Sequence, residues 1–322
     1  MNRHDGDHRQ DEQFEIRNLK FEIFIQNFKF RISNFFAKWD HFWLRPSPPH
    51  LLALLRIAFG LFLLLYWGLQ WPGVPAQFSQ EGIVIPALEP SHAVRLLIVP
   101  ATGGGAQLLF GAFLLCLAAF TAGFLFRASC VLSLLFSFYY WLLSLHLFGT
   151  SYDHLFLFIL LVLCCSDAHH AFSLDMRLRH GSWRTWEAAN ILPQRLIALQ
   201  ITAVYLGVGL QKLLLPGWQS GEVLAVGFTG RWATPLAWWV IRQPLPIAVY
   251  DAAVFLVKSL EIVLPVAFWI RRLRWWAFAG GALFHIGIAL LLGIWWFLVL
   301  IPAYIVFFEP EEVQTKLFPW KG

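Results

Sequence analysis

Eight ionisable side chains fall inside stretches that otherwise carry almost no charge: Arg56, His146, Asp153, His154, Lys212, Lys258, Glu261 and His285. Each costs about 2.5–3.5 kcal/mol if the stretch inserts into a bilayer, so such groups face a bundle interior or a cavity. Lys212 has the most informative surroundings, in Tyr205-Leu-Gly-Val-Gly-Leu-Gln-Lys212-Leu213, with Trp218 and Gly221 following. Tyr205, Gly209 and Lys212 recur at helical spacing and share a face, and Gly207 and Gly209 allow a neighbouring helix to come close. A lysine sheltered in this way is a candidate base; a lysine snorkelling from lipid to water reads the same in sequence.

The other groups divide between chemistry and structure. His146 ends one apolar run, and Asp153 with His154 begins the next, so this turn sits at the membrane level of Lys212; Ser151 or Asp153 also suits a helix N-cap. His285 lies near the middle of its run, after Phe284, where a hydrogen-bonded core histidine and a functional one are equally compatible with the sequence. Lys258 and Glu261 stand i, i+3 and are expected to pair with each other, or with Arg56 or His285. Arg56 is placed to snorkel. His169 and His170 show no acidic or Cys partners at metal spacing, so no metal site is expected. Cys116, Cys130, Cys164 and Cys165 all lie in apolar runs and read as buried free thiols. No P-loop, complete G-x-G-x-x-G, H-E-x-x-H or G-x-S-x-G is present.

The elements that must hold these groups are membrane helices. Of the 322 residues, 58% are hydrophobic and 13% charged, against about 25% charged in soluble domains. The fold class expected is all-α, a polytopic helical bundle. Eight candidate spans can be drawn, at about 51–71, 105–125, 129–148, 153–166, 193–214, 249–269, 275–293 and 295–308. With the N-terminus in the cytoplasm, Arg127, the Arg177/Arg179/Arg184 group, Arg271-Arg272-Leu273-Arg274, Lys316 and Lys321 all fall inside, leaving Arg95, Arg231 and Arg242 outside. This alternation predicts both ends in the cytoplasm. The net charge of +5 therefore marks orientation, and no nucleic-acid partner is expected. The first span reads as an uncleaved anchor, since no cleavable signal peptide is evident at the start.

Three domains are expected. Residues 1–45 form a polar N-terminal extension containing the near-repeat Asn18-Leu-Lys-Phe-Glu-Ile23 and Asn27-Phe-Lys-Phe-Arg-Ile32; it suits either a basic interfacial helix with Trp39 and Trp43 at headgroup level or an appendage outside the fold. Residues 46–310 hold the spans, and 311–322 form a cytoplasmic tail. Residues 72–104 and 215–248 are apolar and Trp-bearing enough to lie along the outer interface.

The motif Tyr205-x-x-x-Gly209-x-x-Lys212-Leu213, then Trp218-x-x-Gly221, resembles the transmembrane module of vitamin K-dependent gamma-glutamyl carboxylase, known in bacteria as the HTTM (horizontally transferred transmembrane) domain. Glu81-Gly82-Ile83 with Pro86, Asp167, Ser173-Leu174-Asp175 and Phe284-His285 add to the resemblance, which covers about residues 50–310. It implies that Lys212 is the base that deprotonates a vitamin K or menaquinone-like hydroquinone and that His285 supports the site. His154 takes part only after a shift, because the family's Asn-Asn-His-like turn is here Thr150-Ser-Tyr-Asp-His154. Tyr205, Tyr152, Trp218 and Glu81 would bind the substrate. The animal enzyme's large lumenal domain has no counterpart after residue 308, so protein carboxylation is not expected of this chain alone.

The leading expectation is a multi-pass protein of the bacterial inner (cell) membrane that binds or oxidises a quinone-like lipid at the extracytoplasmic face. Two other classes stay open. One is a non-enzymatic scaffold or partner subunit for a soluble or membrane protein. The other is a transporter whose pathway is lined by Lys258, Glu261 and His285.

Overall fold

A computed structural model describes residues 26–82, 100–148 and 151–319, with side chains described over the same ranges except 145–148 and 151. The expectations that rest on Ile83, Pro86, Arg95, Thr150, Lys321 and the side chain of His146 fall outside these residues.

The chain divides into two compact units, Met1–Arg45 and Pro46–Gly322. In the first, residues 26–44 form helix α1. Phe28, Ile32, Phe35, Phe36, Trp39 and Trp43 recur at i, i+4, i+7, i+8, i+11 and i+15, which gathers them on one stripe. The rings of Phe35 and Trp39 stack at 6.2 Å, and Trp39 meets Trp43 at 5.7 Å.

Among the described residues the second unit is mostly helical, with one two-residue ladder, β1 (Pro46–Ser47) antiparallel to β2 (Ala189–Asn190), and an isolated parallel bridge between Ser79 and Ala101. Among the described residues five helices are long and apolar enough to cross a membrane: α2 (His50–Gly68), α4 (Gly103–Ala122), α5 (Phe126–Phe148), α8 (Leu192–Leu214) and α12 (Arg274–Leu292). Two further apolar stretches are shorter: α6 (Ser151–Cys164), and Trp295–Phe307, in which a 3-10 turn, the short helix α13 (Leu300–Ala303) and a second 3-10 turn follow one another. Helix α11 (Ile247–Ala267) has 21 residues but carries Asp251, Lys258 and Glu261, which lowers its apolar character below that of the five. The remaining helices are short: α3 (Val74–Phe78), α7 (Leu174–His180), α9 (Glu222–Gly227), α10 (Pro235–Ile241) and α14 (Pro310–Leu317). Many apolar side chains, Leu108, Leu115, Phe255, Trp276 and Leu283 among them, are exposed. That is the surface expected where the solvent is hydrocarbon.

The core begins as an aromatic knot. Trp67, Phe78, Phe110, Phe113 and Tyr140 join α2, α3, α4 and α5 through ring contacts of 5.0–6.5 Å. At the opposite end of α2 the polar clasp is unexpected. Arg56 does not snorkel; it is fully buried and donates to the carbonyls of Ala168 (2.7 Å) and Phe172 (2.5 Å). Gly123, at φ 66°, ends α4 beside that guanidinium, where a Cβ would come within 2.7 Å of Arg56 Nη1. Asp175 accepts from the backbone N–H groups of Leu125 and Phe126, both at 2.9 Å, and so caps the start of α5. Asp167 accepts from Arg127 at 2.6 Å. Of the cysteines, Cys130 is buried and meets Cys164 Sγ to Sγ at 3.0 Å, Cys116 and Cys164 are half-buried, and Cys165 is exposed, which corrects the expectation of four buried thiols.

Candidate acid–base site where α8, α11 and α12 meet

Helix α8 supplies the site because its one-faced pattern is kept in the fold. Tyr205 and Gly209 are buried on it, and Lys212 lies in its last turn. Its main neighbour is α11. The close approach depends on glycine. A Cβ on Gly209 would lie 3.1 Å from both Glu261 Cβ and Ile262 Cγ1, and a Cβ on Gly221 would lie 2.4–2.5 Å from Tyr250 Cβ and the Asp251 backbone nitrogen. Gly221 also donates its N–H to Asp251 Oδ1 at 2.6 Å.

Across this contact Lys212 Nζ donates to Glu261 Oε1, and the two side chains are only 14% and 8% exposed. Nζ also stands over the Trp218 ring, 4.3 Å from its centroid, a cation–π geometry. Glu261 Oε2 is buried without a hydrogen-bond partner. Glu261 is therefore not the partner of Lys258, Arg56 or His285, as spacing suggested. Lys258 instead donates to the Trp218 carbonyl at 3.0 Å and holds the turn that carries the indole. A contact between helices has displaced the local i, i+3 pair.

Tyr205, on the same face two turns earlier, makes a second buried cluster. Its hydroxyl meets His285 Nε2 at 2.5 Å and also the hydroxyl of Tyr304. His285 Nδ1 is buried and unpartnered. The His285 ring stacks on Phe297 at 5.9 Å, and Phe297 meets Tyr152 at 6.0 Å. Tyr152 in turn places its hydroxyl 3.3 Å from that of Tyr66. Tyr304 did not stand out in the sequence, although Gly281, whose Cβ would collide with the Tyr304 ring at 2.8 Å, marks where the ring is accommodated.

The remaining candidates lie apart from these clusters. His154 packs edge-on against Trp141 at 5.2 Å. Glu81 is exposed; it accepts from Ser79 Oγ at 3.2 Å and faces Gly103 in the first turn of α4, a position that suits the positive end of the helix dipole. Among the described residues neither hydrogen-bonds to Lys212, Tyr205 or His285. A cleft of about 530 Å³ along α4, lined by Trp71, Gln107, Leu108 and Gly111, takes in none of the candidate residues.

A model of the HTTM domain matches residues 44–311, and the chain belongs to the HTTM family. The resemblance read from the Lys212 motif is thus borne out at the level of the family, as is the all-helical, membrane-type character of the chain. No curated protein and no solved structure matches it.

Proposed function

We propose that this HTTM protein is a multi-pass cell-membrane protein that binds a quinone-like lipid and deprotonates its hydroquinone, with Lys212 as the base and Glu261 as its positioning partner. The observation that carries this reading is the sheltered Lys212–Glu261 pair beside Trp218. Once the Lys212 ammonium has passed a proton to solvent, Nζ still donates an N–H to Glu261 Oε1 and has a lone pair for an incoming hydroxyl. The substrate O–H bond breaks, the electron pair stays on the phenolate oxygen, and the proton goes to Nζ. The ammonium so formed is stabilised by the carboxylate beside it and by the indole face. Tyr205, His285 and Tyr304 form a second polar cluster on the same side of α8, and Trp218 and Tyr152 supply flat surfaces for a ring. Glu81 and His154 enter this reading only as secondary contacts.

The topology that goes with it has eight spans, obtained by adding α6, α11 and Trp295–Phe307 to the five long apolar helices. Both ends are cytoplasmic, Lys212 is at the extracytoplasmic face, α1 lies in the interface and residues 311–322 form a tail. The pattern of basic residues supports it.

The test is titration of the protein in nanodiscs with menaquinone and with its hydroquinone, read by tryptophan quenching. Saturable binding that weakens in Lys212→Ala and in Glu261→Gln is expected. Absence of binding to the wild type, or unchanged affinity and proton uptake in Lys212→Ala, would remove the proposal and leave the pair as a structural clamp between α8 and α11.

A further inference from the structure

The turn between α6 and α7 gathers a second set of ionisable groups that the acid–base site does not use. The backbone N–H of His170 donates to the Asp167 carbonyl at 2.9 Å, closing a tight turn. Asp167 and His170 side chains thereby come to one side. The returning chain is held by Glu187, whose N–H donates to the His170 carbonyl at 3.1 Å. The acidic partners that spacing alone did not reveal are thus Asp167, from the turn itself, and Glu187, from the chain that folds back.

The histidines are arranged as ligands. His170 Nδ1 faces the carbonyl of Ala188 at 3.3 Å; a carbonyl can only accept, so Nδ1 carries a hydrogen, and in the neutral ring Nε2 presents its lone pair. That second contact is the kind that fixes the tautomer of a metal-binding histidine. Nε2 lies 3.9 Å from Asp167 Oδ1 and 3.8 Å from Glu187 Oε2. These separations are too long for hydrogen bonds and suit two donors that flank an ion at about 2.0–2.2 Å from each. His169 is 9% exposed, stacks on Phe126 at 4.8 Å, and its Nδ1 has no hydrogen-bond partner. One ligand atom each from Asp167, His169 and His170 lies within 4.8 Å of the others.

We propose that Asp167, His169, His170 and Glu187 form a binding site for a divalent transition ion of the Zn2+ class, which clamps the α6–α7 turn to the chain entering β2. Two imidazoles and two carboxylates match the borderline character of such an ion and balance its charge. The oxygen of Glu187 not facing His170 meets His180 Nε2 at 3.0 Å, which orients the carboxylate. Arg127 and Arg179 now supply the counter-charge to Asp167 and Glu187, at 2.6 and 3.6 Å. Both guanidinium groups are more than half exposed and can swing away when the ion takes their place. The ion would draw the donors together, and those up to 4.8 Å apart must move further than the pairs at 3.8–3.9 Å; the turn it tightens is the one whose Ala168 and Phe172 carbonyls receive Arg56.

The experiment is a Zn2+ titration of the full chain, purified without a polyhistidine tag and stripped with chelator, against a chromophoric competitor. One tight site per chain is expected, with a rise in melting temperature on adding Zn2+. Affinity should fall by more than the roughly 10- to 100-fold typical of losing an outer-shell partner in His170→Asn and in Asp167→Asn, and further in His169→Gln/His170→Asn. His170 is the less buried of the two histidines, so the single variant keeps the test valid should the double variant fail to fold. No stoichiometric Zn2+ binding, or wild-type affinity retained in both His170→Asn and Asp167→Asn, would overturn the proposal.

Discussion

Gly209 lies against Glu261 one turn before Lys212, so that a Cβ on Gly209 would come within 3.1 Å of the glutamate Cβ. This contact sets the distance between α8 and α11 at the level where Lys212 reaches Glu261. Gly209→Val is therefore expected to push the helices apart, lowering stability by about 1–3 kcal/mol and opening the ion pair. Gly221→Ala should be at least as costly, because the obstacles there include the Asp251 backbone nitrogen, which a side-chain rotation cannot relieve. Thermal unfolding in detergent checks both. Wild-type melting in Gly221→Ala would mean that the 215–222 turn does not pack on α11 as described.

The buried pair itself makes a second, sharper prediction. Removing one partner leaves the other charge stranded, at a cost of about 3–5 kcal/mol, whereas replacing both with apolar groups of similar volume is close to neutral. Lys212→Met and Glu261→Leu should each destabilise strongly, and the double variant should recover much of the loss. A double-mutant cycle of melting or denaturant midpoints measures the coupling. Additive losses would show that the two side chains do not interact.

The long helices were legible because apolar runs of about 20 residues between polar breaks have one physical explanation, and α2, α4, α5, α8 and α12 fall where such runs were drawn. Lys212 was legible because Tyr205, Gly209 and Lys212 share a helical face. The identity of its partner was not. Local spacing favours Lys258 for Glu261, while the observed partner is 49 residues away along the chain, and only the α8–α11 packing brings it close. Arg56 was misread for a similar reason: its partners are two backbone carbonyls, Ala168 and Phe172, on a turn more than a hundred residues distant. Tyr304 was hidden because Trp295–Phe307 alternates between 3-10 and α geometry, so no single period tells which side chains face inward.

The Tyr205 hydroxyl joins two partners, and that makes the order of two costs predictable. Tyr205→Phe strands both His285 Nε2 and the Tyr304 hydroxyl, and His285 Nδ1 is already without a partner. Tyr304→Phe leaves Tyr205 bonded to His285. The first substitution is expected to cost about 2–3 kcal/mol and the second about 1 kcal/mol, read as midpoints of chemical unfolding. Equal costs, or the reverse order, would remove Tyr205 from the centre of the cluster.

Thiol labelling tests the proposed topology directly. Cys165 is exposed just beyond α6, on the side that the basic residues assign to the cytoplasm, and Thr229 is exposed in the long segment between α8 and α11. A variant that keeps Cys165 as its sole cysteine, the other three replaced by Ala, should resist a membrane-impermeant maleimide in intact cells or spheroplasts and react after the membrane is opened. Thr229→Cys, in a background with all four native cysteines replaced, should react from outside without opening. Of the described helices between the two sites, α8 alone is long and apolar enough to cross, so a single crossing between them requires opposite behaviour. If both react from the same side, α8 does not carry Lys212 across the bilayer, and the extracytoplasmic placement of the acid–base pair fails with it.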